Sequence, residues 1–189
     1  MLYNIDFELS GFVFMLLFYF SLKAQYPKEV KEIHHYSNSL LVYIVVTALD
    51  IISAISISYA AAIPHWLNMA INTIYAMSVV LFFYSFERYI CKYLLQERMK
   101  WEKVASYIVC AAYGMLLILN CFTHWLFYFD DSHRYVHGPA YFLIFFVPLY
   151  FILTIGMILV IRNKNFDRKQ KISIWLFTLL GLLGPLVQV

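Results

Sequence analysis

The sequence predicts an all-α fold, a polytopic integral membrane bundle, from three observations. Of its 189 residues 63% are hydrophobic and 20% aromatic. Mean hydropathy is +0.72. Only 13% of residues are charged, against about 25% in an average soluble domain, and the charges cluster between long apolar runs. A soluble core of this size could not hide so much apolar surface, so the runs read as membrane spans and the clusters as connecting loops.

Six spans are expected, at about 7–24, 38–61, 66–87, 104–127, 140–161 and 172–189, all in a single transmembrane helical domain covering 1–189. The first begins within "MLYNIDFELS", which has no cation and carries Asp6 and Glu8. That start is unlike the basic head of a secretory signal peptide, so the first helix is expected to be retained. Spans two and three are joined by the short turn "IPHW" around Pro64 and must be antiparallel neighbours. Span five contains Pro148, and span six contains Gly181, Gly184 and Pro185, any of which can kink or unwind a helix or simply be packed around. The last span runs to Val189 without a polar flank, and six visible helices of an expected seven are the predicted count.

Orientation follows from the cations. Lys23, Lys28 and Lys31 lie between spans one and two, Arg88 to Lys103 between three and four, and Arg162 to Lys171 between five and six. Of 14 Lys and Arg residues only Arg134 falls on the other side. Cytoplasmic loops retain Lys and Arg, which predicts an extracytoplasmic N-terminus in the cell membrane. Acids such as Glu29, Glu87, Glu97 and Glu102 alternate with these cations, so the net charge of +3 serves topology and attraction to anionic lipid. Neither a nucleic-acid-binding face nor a soluble catalytic or phosphate-binding signature is present, and no cofactor or enzymatic activity is expected of this chain. The three cysteines suggest no disulfide framework. Cys110 and Cys121 share one helix at about 16 Å separation, and Cys91 lies beside the inner surface, where palmitoylation is one option.

Polarity within the membrane concentrates in spans two and three. Asp50 is a carboxylate near the centre of "TALDIISAISISYA", at a depth where a charge costs about 2.5 to 3.5 kcal/mol on insertion scales. Asn72 lies across the turn, offset in depth by about 8 Å, and shares a helix face with Asn68. With Ser53 and, in span four, Asn120, these residues are the candidates for a ligand pocket or for a hydrogen-bonded lock between helices. Both readings remain open from sequence.

A second candidate set lies outside: His65, His124, Asp130, Asp131, His133 and His137, gathered around the loop "YFDDSHRYVHGPAY". Imidazoles and carboxylates together can chelate a transition metal or titrate between about pH 5 and 8, and they also occur as ordinary interfacial residues. Aromatic residues, including Trp66, Trp125 and Tyr128 outside and Tyr36 and Trp101 inside, bracket the spans as interfacial anchors.

The segments "LDIISAISI", "IPHWLNMAINTIY" and "FYFDDSHRYVHGPAYF", with the short patterns P-x-W-L-N-x-x-x-N and Y-x-H-G-P-x-Y inside them, resemble the seven-helix N-terminal membrane sensor region of bacterial signalling proteins. Such regions precede histidine kinase or diguanylate cyclase (GGDEF) domains. The resemblance covers the whole chain and implies a sensory input module for an extracytoplasmic or membrane signal. Its implied partners are the bilayer, a small-molecule signal, a cytoplasmic signalling domain in cis or in trans, and a second copy in a homodimer. The seventh helix and the output domain would lie beyond Val189. The competing class is a small transporter or channel subunit using Asp50 for ion coupling, although the internal repeats common in transporters are not evident.

Overall fold

The computed structural model describes residues 5–25, 31–91, 100–161, 168, 171–172 and 174–175. The elements in chain order are α1 (Asp6–Gln25), α2 (Lys31–Ser58), α3 (His65–Tyr89), α4 (Lys100–Thr123), a hairpin of β1 (Phe127–Phe129) and β2 (Tyr135–His137), and α5 (Phe146–Ile161). Among the described residues four helical stretches are long and apolar enough to cross a membrane: Tyr36–Ser58, His65–Tyr89, Lys103–Thr123 and Tyr141–Ile161. They coincide with expected spans two to five and make this a membrane protein by length and composition. The expected first span falls on the helix α1, which is not among these four. The expected sixth lies outside the described residues except for positions 172, 174 and 175.

Helix α3 is central and packs against α2, α4, α5 and β1. Its inward face carries Val80, Phe83 and Phe86, all nearly inaccessible, and Phe83 stacks on Phe151 of α5 with ring centroids 6.4 Å apart. Outward faces are strongly apolar as well: Phe14, Phe122 and Val160 are 67%, 81% and 74% exposed. A helix apolar all round has lipid on one side and protein on the other.

Three features differ from the sequence expectation. Span four stops at Thr123, not near 127, because His124 takes a left-handed conformation (φ 57°) that ends the helix. The apolar "FYF" that hydropathy assigns to the span is β1, paired antiparallel to β2 with Phe127 opposite His137 and Phe129 opposite Tyr135. Pro148 does not interrupt a long helix. A 3-10 turn covers Tyr141–Phe145, and Pro148 sits in the first turn of α5, where its missing N–H leaves no helical bond broken.

Candidate functional site

In the half of the α2–α3 interface nearest the Pro64 turn a small polar cluster crosses between helices. Ser53 and Ser56 lie three residues apart on one face of α2, and Asn68 and Asn72 four apart on the facing stripe of α3. The Ser53 hydroxyl donates to Asn72 Oδ1 at 2.7 Å. Asn72 Nδ2 donates to Ser56 Oγ at 3.2 Å and to the Asn68 carbonyl at 2.9 Å. Ser56 in turn donates to the Ser53 carbonyl at 2.8 Å.

Both amide protons of Asn72 are therefore used, and none is left for Asp50. From sequence Asp50 is expected within reach of Asn72 or a bridging water, with Asn68 as a further partner; Asn72 itself is engaged by Ser53 and Ser56, one and two turns nearer the helix end and at its own depth. Asp50 is half-buried and lies within electrostatic reach of Tyr43 on its own helix. Asn68 is fully buried, and its Oδ1 has no hydrogen-bond partner among the described residues.

Interhelical hydrogen bonds in membranes average about 0.6 kcal/mol. Asn72→Ala should accordingly cost about 1 to 2 kcal/mol in thermal unfolding of the detergent-solubilised protein. Asp50→Asn leaves all three Asn72 bonds in place and should cost less. An Asp50→Asn loss equal to that of Asn72→Ala would contradict this assignment.

Asn120 binds inside its own chain segment rather than lining a cavity. It is fully buried. Its Oδ1 accepts from the amides of Leu126 (2.7 Å) and Phe127 (3.3 Å), and its Nδ2 donates to the Phe127 carbonyl at 3.0 Å. One side chain thus fastens the hairpin to the last turn of α4 and lays Leu126, Phe127 and Phe129 into the core.

The histidines expected outside do not converge. Among the described residues no three of His, Cys, Asp or Glu come together to hold a metal ion. Three imidazoles pack against different rings instead: His137 is stacked on Tyr141 at 3.7 Å, His124 is tilted on Tyr128, and His65 meets Phe129 edge-on. His133 has φ 58° and turns the hairpin, with its amide donating to the Asp130 carbonyl at 2.9 Å. Asp131 is exposed in the same turn.

Asp130 closes the turn by accepting from the Arg134 amide at 2.8 Å and pairing with the Arg134 guanidinium at 3.2 Å. The Arg134 backbone N–H foremost, joined by the Arg134 guanidinium, holds its carboxyl below the ordinary range against the opposing effect of desolvation. A depressed carboxyl pKa stabilises the fold above the unfolded value and stops doing so as pH falls through the folded one. Amide exchange at Arg134 should therefore quicken only on acidification below the ordinary aspartate value of about 3.9. An unchanged rate there would remove Asp130 as the turn's fastener.

The end of α3 far from the Pro64 turn holds a residue that sequence reading missed. Glu87 is fully buried, and the Ser106 hydroxyl of α4 donates to its Oε1 at 2.8 Å. Counted with the loop acids, it looks solvated. Its helical register says otherwise, because Val80, Phe83 and Glu87 fall on one stripe of α3. Beside this contact Tyr84 and Tyr107 pack at 5.5 Å, with Arg88 over the former and Lys103 over the latter, each 5.8 Å from the ring centre. Removing the donor with Ser106→Ala should cost about 1 to 3 kcal/mol, the penalty for a buried acceptor losing its partner. Glu87→Gln keeps an acceptor oxygen and should lose less in the same melting experiment.

No protein-family model, curated protein or solved structure matches this chain.

Proposed function

We propose that this chain is the membrane-embedded sensory input module of a bacterial signal-transduction protein, multi-pass in the cell membrane with its N-terminus outside. In this reading it receives an extracytoplasmic or membrane signal and controls a cytoplasmic output domain, which carries any catalysis. The observation that carries the reading is the way α3 is tied: to α2 in its outer half through Asn72, and to α4 at its inner end through Glu87 and Ser106.

A sensor needs two arrangements of its helices with different affinity for the signal. Discrete polar ties between packed helices break and reform as units, and close-packed interfaces do not deform smoothly. With β1 against its outer end and the Glu87 contact at its inner end, α3 is the element through which a change at the outer hairpin would reach the basic side. The cation distribution supports this orientation, since Lys and Arg gather in the connections on the Glu87 side and cytoplasmic loops retain such residues.

Two measurements test this proposal. Reporter fusions in the 130–134 turn should be active outside the cell, and fusions in 92–99 should be active in the cytoplasm. The reading frame should continue past Val189 into a seventh apolar segment and a kinase or diguanylate cyclase sequence. A stop codon directly after Val189, or ion flux through the reconstituted chain, would overturn the proposal.

A further inference from the structure

Between α2 and α3, on the basic half of the bundle, lies an open groove of about 620 Å³, within the range of about 300 to 1,000 Å³ usual for small-molecule sites. Its walls change character along their length. Leu41, Val45 and Leu81 form the apolar stretch, and each is close to half exposed. Asn38, Ser85 and Arg88 form the end nearest the basic loops.

On α2 the lining runs from Asn38 to Val46, about 12 Å of helix, and on α3 from Ser78 to Tyr89, about 16 Å. Half of a hydrocarbon core about 30 Å thick is the same length. The groove is therefore as deep as one leaflet, apolar where acyl chains lie and polar where headgroups lie.

Its charge is one-sided. Among the described residues lining it, Arg88 is the only charged one and no carboxylate is present. The adjacent Glu87 turns away to Ser106 of α4. Arg88 is held over the Tyr84 ring at the mouth, and a guanidinium offers several donors in the fork geometry that matches phosphate.

We infer that this groove binds one phospholipid with an anionic headgroup, its phosphate against Arg88 and an acyl chain along Leu41, Val45 and Leu81. Basic pockets between transmembrane helices are the usual receptors for such headgroups. The inference rests on insertion in a membrane and not on the sensory reading.

The test is native mass spectrometry of the full chain in detergent with equal amounts of phosphatidylglycerol and phosphatidylcholine of the same chain length. A single phosphatidylglycerol adduct should dominate by about fivefold or more, a difference of about 1 kcal/mol. Arg88→Gln should bring the two lipids to parity, and Arg88→Lys should keep most of the preference. Val45→Trp, or Leu81→Trp from the opposite wall, should remove both adducts, whereas Lys23→Gln, a cation on the same side but outside the groove, should change nothing.

Equal retention of the two lipids by the unaltered chain, or a preference that survives Arg88→Gln, overturns the inference. So does an equal loss in Lys23→Gln, which would mean diffuse surface charge. Displacement of the lipid by inorganic phosphate alone would make the site one for a free anion and would also overturn it.

Discussion

Gly138→Ala is expected to cost about 3 kcal/mol or more and to lower the melting temperature of the detergent-solubilised chain by several degrees. A Cβ at this position would stand 2.2 Å from the Trp125 carbonyl oxygen and 2.4 Å from that of His124. These are backbone atoms at the end of α4, so no side chain can rotate out of the way. The same backbone is pinned, because the Gly138 amide donates to the Leu126 carbonyl and the Ala140 amide to the Trp125 carbonyl, each at 2.8 Å. Relief of the clash must break one or both bonds, each worth about 1 kcal/mol net, in addition to the cost of overpacking. Melting at the unaltered temperature would show that this close approach is absent in the protein.

The second large effect is expected at Asn120. Asn120→Ala removes one acceptor and one donor that together satisfy two backbone amides and one carbonyl. Leu126 and Phe127, which own those groups, are 0% and 1% exposed, so water cannot substitute without opening the hairpin. A buried polar group left without a partner costs about 1 to 3 kcal/mol, which puts the total loss at about 3 kcal/mol or more. Amide exchange should accelerate at Leu126 and Phe127 first, ahead of the helices, since the hairpin would open as a local unit. Combined with Gly138→Ala the loss should be clearly less than the sum, because both substitutions release the same hairpin from the same helix end. Full additivity would separate the two roles.

Particular residues show where sequence legibility ends. Asn72 was legible as a buried polar partner because a short turn at Pro64 forces α2 and α3 together and few other polar groups lie at its depth. Its partner was not. Asp50 is the more conspicuous residue, yet hydrogen bonding is decided by depth, rotation and donor count, and Ser53 and Ser56 meet those conditions. Glu87 was hidden by its neighbours in sequence, since Arg88 and the cations beyond it make the segment look solvated. Only its place on the stripe with Val80 and Phe83 marks it as inward-facing.

The β1–β2 hairpin was hidden by hydropathy itself. "FYF" is apolar enough to extend a span, and the residues that divert the chain, His124 and His133 at positive φ, are histidines rather than the glycine or asparagine that usually advertise such a turn. The six metal or pH candidates come from the start of α3, the end of α4 and the hairpin with its turn, and His65, His124 and His137 meet three different aromatic rings instead of one another.

By itself the sequence determined the class of the molecule, the position of four apolar spans, and the pairing of α2 with α3. These follow from quantities that add along the chain: transfer free energy over about 20 residues and the reach of a short turn. The tertiary structure decided which polar groups meet. It gave Asn72 to two serines, Asn120 to a hairpin and Glu87 to Ser106, because hydrogen bonds depend on ångström-scale depth and on the rotation of one helix against another, which no single segment encodes.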